Sequence, residues 1–200
     1  MFEVISSIFS KKSKIQSLIE KTKSNVEKRN KEFSFDLLGR SLSLNPYPPR
    51  AFDFDFSPFI KDNIIKLKCI KDESSISNLP NNLGIITADT TLLTDIALVA
   101  TLRRYTPFII IHKDIIISKY QILESLIYGA DMIILDSSIL DIKSFEILCN
   151  FAIFLGLRVV ADSSIDATNN IFSNIDFILI DNLQVNIDNN KIALYLDKYL

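Results

Sequence analysis

Apolar runs separated by polar, helix-like segments dominate the chain from residue 64 onward. The clearest case lies between Pro107 and Asp136, where residues 108–112 and 132–135 are apolar almost throughout and a helical segment at 120–128 lies between them. Uninterrupted apolar character is typical of a parallel strand that is covered on both faces. The pattern therefore predicts a βαβ unit in this part of the chain.

The same alternation of strand and helix recurs on both sides of that unit. Further strands are predicted at residues 64–70, 83–87, 158–161 and 177–180, and further helices at residues 91–104, 141–155, 165–173 and 188–200. Repeated βα units with right-handed crossovers produce either a parallel barrel or an open parallel sheet. The predicted class is therefore α/β, with about six parallel strands.

A helical segment precedes the predicted strands. Within residues 11–31, apolar side chains recur at the spacing of one helix face, with lysine and glutamate on the opposite face. The stripe consists of Ile15, Leu18, Ile19, Thr22 and Val26. We expect a helical extension with a proline-rich loop over residues 1–50 and the β/α unit over residues 51–200, together forming one structural domain.

Phenylalanines at Phe52, Phe54 and Phe56 alternate with aspartates after that loop. A period of two fits an edge strand or an extended segment that covers the core. Both interpretations treat the aromatic side chains as packing groups, and neither makes them a stacking surface for bases.

Composition excludes several classes of function. The formal net charge is −2 over 200 residues, so no basic field indicates a nucleic-acid partner. We expect no membrane segment and no secretory leader, and we expect a soluble cytoplasmic protein. Cys69, Cys149 and the single histidine, His112, lack metal-ligand spacing. The sequence predicts no metal and no cofactor.

The 107–136 stretch also resembles a known family. Ten residues match a segment of indole-3-glycerol phosphate synthase without a gap: Lys113, Asp114, Ile116, Ile117, Tyr120, Gln121, Ile122, Gly129, Ala130 and Asp131. In that family the lysine after the third barrel strand is the catalytic acid. The resemblance reaches back to Pro48, Pro49 and Arg50, where the family has a proline-rich loop after an extra amino-terminal helix.

The resemblance implies a TIM-type (β/α) barrel, which takes about 250 residues when complete. This chain has 200 residues, and the loop after the first strand replaces the whole first helix of the family. We therefore expect an incomplete barrel of about six strands whose open edges are covered by another segment, a homodimer or a protein partner.

The family closes an indole ring on a phosphorylated sugar amine, with loss of carbon dioxide and water. By resemblance, Lys113 is the general acid. Asp162 is the expected base, and it stands where the family has a glutamate, whose side chain is one methylene longer. Lys68 stands at the lysine of the first strand, and Lys66 replaces its glutamate, so both are expected to contact substrate. As an alternative, the two lysines keep an edge strand soluble, and Asp162 and Asp181 cap the helices that follow them.

Later positions of the family's site are altered. Of two family asparagines, the second persists as Asn182 and the first is replaced by Asp181, and both residues are expected to contact substrate. A substrate-contacting arginine of the family is replaced by Leu183. No glycine follows Gly156, so the glycine-containing loops that hold phosphate in such barrels are not recognisable.

Two hypotheses follow from these matches and losses. The first is a diverged carbon–carbon lyase of tryptophan biosynthesis that acts on a carboxyphenylamino-deoxyribulose phosphate, with a degraded site. The second is a catalytically inactive pseudo-enzyme of the same family that serves as a binding or scaffold module.

Overall fold

The computed structural model describes residues 2–91, 95–162, 175–180 and 191–197, with side chains from residue 14 onward. Its helices are α1 (Phe2–Glu32), α2 (Phe35–Ser41), α3 (Ala97–Tyr105), α4 (Lys119–Ile127) and α5 (Ile142–Phe154). Its strands are β1 (Ile64–Ile70), β2 (Ile85–Asp89), β3 (Ile109–Lys113), β4 (Met132–Leu135), β5 (Arg158–Asp162), β6 (Phe177–Ile180) and β7 (Ile192–Asp197). The predicted helix at 165–173 lies outside the described residues.

The strands form a closed barrel in sequence order, and every neighbouring pair is parallel. β7 completes the barrel by pairing with β1, from Ile64 opposite Ala193 to Lys68 opposite Asp197. The predicted TIM-type α/β barrel is confirmed, but it has seven strands in the described residues instead of about six.

Two sequence-based expectations are therefore wrong. The predicted helix at 188–200 is a strand over residues 192–197, because alternate side chains there pack into the barrel and its backbone pairs with strands on both sides. The expectation of open edges fails for the same reason, since β1 and β6 both pair with β7. The described strands leave no open edge, and the predicted homodimer or protein partner stays a prediction.

Alternate residues of each strand face the barrel interior and the surrounding helices. The inward set consists of Ile65, Leu67, Ile85, Ile109, Ile111, Met132, Ile134, Val160, Phe177, Leu179 and Leu194. The outward set includes Ile70, Ile86, Ala88, Ile110, Ile133, Leu135, Val159 and Ala161, which pack with the helices. Both faces are buried, which explains the uninterrupted apolar runs.

The helical extension packs against α4. Val26 of α1 and Leu38 of α2 share a buried cluster with Tyr120 and Leu123. Arg29 forms two hydrogen bonds of 2.8 and 2.9 Å with the Glu124 carboxylate. The predicted helix is confirmed, and it is longer than the pattern indicated, because α1 spans Phe2–Glu32.

No α-helix separates β1 from β2. The connection contains one 3-10 segment, Glu73–Asn78, as expected from the shortened loop.

The phenylalanine-rich segment covers the amino-terminal end of the barrel. Phe56 contacts Phe177, with ring centroids 4.8 Å apart, and Phe54 packs edge-on against Phe56 at 4.9 Å. Arg158, at the start of β5, lies 4.8 Å over the Phe52 ring. Of the two predicted forms, the structure has the cover and not the edge strand.

Candidate active site

A polar cluster lies at the carboxyl-terminal end of β1, β2 and β3, on the face that points into the barrel. Leu67 and Ile111 are in the inner core, so two residues further along each strand Cys69 and Lys113 point to the same side. Asp89, at the end of β2, is directly opposite Lys113. Enzymes with this barrel have their active sites at this end.

An ion pair forms the centre of the cluster. The Nζ atom of Lys113 donates to Oδ2 of Asp89 at 2.7 Å, and the two side chains are 29% and 10% exposed. Thr91 donates its hydroxyl and its backbone N–H to Oδ1 of Asp89, at 2.6 and 3.1 Å. The Cys69 thiol lies 3.7 Å from Oδ2. Asp89 therefore has partners on both carboxylate oxygens.

These contacts set the charge state of the cluster. Burial by itself would raise the pKa of Asp89, but the hydrogen bonds from Lys113 and Thr91 outweigh burial and lower that pKa. Burial and the neighbouring Asp89 carboxylate raise the pKa of Cys69 to about 11. At neutral pH the site therefore holds a carboxylate and a neutral thiol.

A buried hydrogen-bond chain supports the end of β3 from outside the barrel. His112 is 1% exposed, and its Nε2 lies 2.9 Å from the Thr90 hydroxyl. Its Nδ1 lies 2.8 Å from the Ser125 hydroxyl, which itself donates to the Gln121 carbonyl. Because the Ser125 proton is used there, Nδ1 of His112 must carry the proton and Nε2 must accept from Thr90. Burial lowers the pKa of His112 to about 4, so the ring is neutral.

Asp162 points into the barrel at the end of β5. It is opposite Leu179 of β6, an inner-core residue, so its side chain shares the face of Lys113 at the same end. The structure therefore brings the two residues predicted as acid and base to one mouth, and their catalytic roles stay predictions.

The structure does not bring Lys66 and Lys68 to that mouth. Lys68 is opposite Ile86, which belongs to the outer cluster, and Ile70 of the same strand is also in that cluster. Lys66 is exposed and Lys68 is half-buried. Both lysines point away from the barrel interior, contrary to the expected contact with substrate beside Lys113. The apolar residues of β1 fit either orientation of the strand, so the sequence alone did not decide which side chains point into the barrel.

Asp181 and Asn182 lie outside the described residues, so their predicted contacts with substrate stay predictions. Within residues 14–91, 95–162, 175–180 and 191–197, no three His, Cys, Asp or Glu side chains are grouped as a metal site would require. In the part of the chain that the structure describes, no helix has the length and apolar character of a transmembrane span.

Sequence reasoning missed Asp89 and Cys69 as members of the site. A signal for Asp89 was present, because it is a carboxylate at the end of an otherwise apolar strand of a predicted β/α barrel. No comparable signal existed for Cys69, since small buried hydrophobic side chains and cysteine are interchangeable in such a pattern.

The fold and the site together define a parallel β/α barrel protein with a lysine–carboxylate pair at the carboxyl end of its strands. Comparison with known proteins identifies the family. The sequence model of the indole-3-glycerol phosphate synthase family matches residues 80–185, just over half of the chain. The chain belongs to that family.

Individual relatives agree with this placement. An indole-3-glycerol phosphate synthase of Campylobacter hominis is 32% identical over 170 residues, covering 74% of this chain and 64% of the relative. The enzyme of the same name from Campylobacter curvus is 30% identical over 167 residues, with 74% and 64% coverage. That of Campylobacter jejuni is 29% identical over 194 residues, with 82% and 71% coverage. The chain thus spans about two thirds of the length of the curated relatives that it matches.

Proposed function

We propose that this protein catalyses the decarboxylating ring closure of a carboxyphenylamino-deoxyribulose phosphate to an indole, the reaction for which its relatives are named. The observation that carries the proposal is the position of Lys113. Its ammonium group is at the carboxyl end of the barrel on the inner face, is partly exposed, and is held 2.7 Å from a carboxylate.

In this reaction a general acid protonates the substrate's carbonyl oxygen while the aromatic carbon that bears the carboxylate attacks the carbonyl carbon. Lys113 carries suitable protons at the mouth of the barrel. Carbon dioxide then leaves, and the new hydroxyl departs as water with help from an acid and a base. Asp162, on the same inner face, is the proposed base.

The proposed base is short for this task. An aspartate carries its carboxylate on one methylene fewer than a glutamate, and a misplacement of about 1 Å can reduce a rate by about a hundredfold. We therefore expect a lower kcat for this protein than for relatives that have a glutamate at this position. Lengthening the base by Asp162→Glu is expected to raise kcat.

A second candidate function, a catalytically inactive binding module, is favoured by one observation. The inward positions of β1 are Ile65, Leu67 and Cys69, so the first strand contributes no charged side chain to the barrel mouth. A site with fewer charged groups can still bind a phosphorylated aromatic ligand without converting it.

Turnover of the carboxyphenylamino-deoxyribulose phosphate by the purified full chain separates these two functions. Indole fluorescence reports ring closure directly. We expect measurable turnover that Lys113→Ala abolishes and that Lys66→Ala leaves unchanged. The second variant removes the same charge from an exposed, outward-facing site.

Binding is measured in parallel by thermal unfolding with and without the same compound. A ligand that binds only the folded state raises the unfolding temperature. Stabilisation without turnover at millimolar substrate would overturn the enzyme proposal in favour of the binding module. Absence of both would exclude this compound as ligand and substrate.

A further inference from the structure

We infer that Asp89 is a positioning residue for Lys113. The inference rests on the proposed function, in which Lys113 is the acid. It concerns a residue of β2 that neither the family resemblance nor the pattern of the sequence identified.

The first step of the argument is the register between β2 and β3. Asp89 and Lys113 are the last residues of adjacent parallel strands and are directly opposite each other. Residues opposite each other in a sheet project to the same face, which here is the barrel interior. The carboxylate of Asp89 and the ammonium group of Lys113 therefore meet at 2.7 Å.

The second step is the absence of an alternative on β1. In this chain the inward residues of that strand are Ile65, Leu67 and Cys69, none of which can balance an ammonium charge. The carboxylate beside Lys113 is therefore supplied by β2.

The third step separates a positioning role from a role as base. Oδ1 of Asp89 accepts two hydrogen bonds from Thr91, and Oδ2 accepts from Lys113 with the Cys69 thiol beside it. A carboxylate with partners on both oxygens is fixed in place and keeps its negative charge. Such a group orients the acid, and it has no free oxygen to take a proton from the substrate.

The test uses two substitutions at Asp89 in the full chain, with substrate turnover as the readout. Asp89→Asn keeps the size and removes the charge, so we expect kcat to fall by about 10- to 100-fold while KM changes by less than about threefold. Asp89→Glu restores the charge at a longer reach and is expected to recover part of kcat. Asp53→Asn, at an exposed position, is the matched control.

The pH profile of kcat distinguishes positioning from base catalysis. If Asp89 only positions Lys113, the acidic limb of the profile persists in Asp89→Asn at a lower plateau. Loss of that limb would overturn the inference, and so would equal losses in kcat for Asp89→Asn and Asp89→Glu. A rise of KM in both variants as large as the fall in kcat would overturn it as well.

A measurement that does not need turnover keeps this inference separate from the proposed function. Brief acetylation followed by peptide mass mapping reports how accessible and reactive each lysine amine is. In Asp89→Asn we expect acetylation of Lys113 to become several-fold faster, while Lys66 provides an unchanged internal reference. Unchanged Lys113 acetylation would overturn the positioning role even in an active enzyme. Faster acetylation in a protein without turnover would disprove only the proposed reaction.

Discussion

Asp114 follows the proposed acid in sequence, but its side chain points to the other side of the strand. It lines a polar cavity of about 150 Å³ beneath α1, together with Arg29, His112 and Glu124. One of its oxygens accepts the Ile115 backbone N–H at 2.7 Å. Burial outweighs this hydrogen bond and the attraction of Arg29, and it raises the pKa of Asp114 to about 6. The ionised carboxylate therefore costs folding free energy at neutral pH.

Replacing that carboxylate by an amide should stabilise the protein. Because the pKa of Asp114 is higher in the folded protein, protonation favours folding. This contribution is complete below about pH 4 and is lost as pH rises through about 6. We predict that Asp114→Asn raises the free energy of unfolding by about 1 to 2 kcal/mol at pH 7.5. This range allows for solvent screening of the charge in the partly open cavity.

Urea unfolding at pH 7.5 and pH 4.5 measures this effect. The stabilisation should shrink at the lower pH, and the exposed control Asp53→Asn should show no such dependence. Equal stability of Asp114→Asn and the parent protein at pH 7.5 would contradict the assigned cost.

At the scale of elements, one buried carboxylate joins four parts of the chain at the amino-terminal end of the barrel. Asp131, immediately before β4, is fully buried and accepts from Arg50, which lies in the loop before β1, and from Arg103 of α3. Its Oδ2 also accepts the backbone N–H of Ile110 in β3. A single side chain thus holds the proline-rich loop, a helix and two strands together.

Removal of this carboxylate should be costly. Asp131→Ala leaves the Arg103 guanidinium, whose side chain is 6% exposed, without its carboxylate partner. Breaking a buried pair in this way costs about 3 to 5 kcal/mol. Asp176→Ala, which breaks the pair with Arg158 at a carboxylate that is 59% exposed, should cost about 1 kcal/mol or less.

Both variants are compared by urea unfolding at one pH. The expected order is a large loss for Asp131→Ala and a small loss for Asp176→Ala. Similar midpoints for the two variants would show that Asp131 does not have the joining role assigned to it.

For the whole molecule, the decisive feature is closure of the barrel by β7. Its pairs with β1 and β6 remove the sheet edges that an incomplete barrel would expose. Ala193, near the start of β7, is opposite Ile64 of β1 and Ile178 of β6, is fully buried, and donates its backbone N–H to the Asn63 carbonyl at 2.9 Å. Loss of the closing strand would leave two unpaired strand edges in an otherwise complete barrel.

A proline in β7 should therefore open the barrel. Ala193→Pro removes the N–H that bonds to Asn63, and proline is excluded from central strands. We predict aggregation on size-exclusion chromatography and rapid proteolysis. Ala193→Gly keeps the N–H and should lose only about 1 kcal/mol of stability. A proteolysis-resistant Ala193→Pro protein that elutes like its parent would contradict the role of β7 in closure.

Local sequence patterns were sufficient for most of the elements. Apolar runs located β1 to β6, because strands buried on both faces need apolar side chains at every position. The serine before α4 and the aspartate before α5 cap their helices, as such residues do from local geometry alone. The match around Lys113 identified the family and placed its lysine at a strand end, where the structure also has it.

Only the tertiary structure decided which side chains meet. A shift of one residue in the register of β1 would exchange Cys69 for Lys68 at the barrel mouth, and both registers place apolar residues on both faces. The pairing of Asp89 with Lys113 and the strand character of residues 192–197 likewise depend on neighbours distant in sequence. The sequence by itself determined six of the seven strands, β1 to β6, and the identity of the lysine at the rim of the barrel. The pairing of β2 with β3 determined the partner of that lysine, because register and facing are properties of paired strands and not of any one strand.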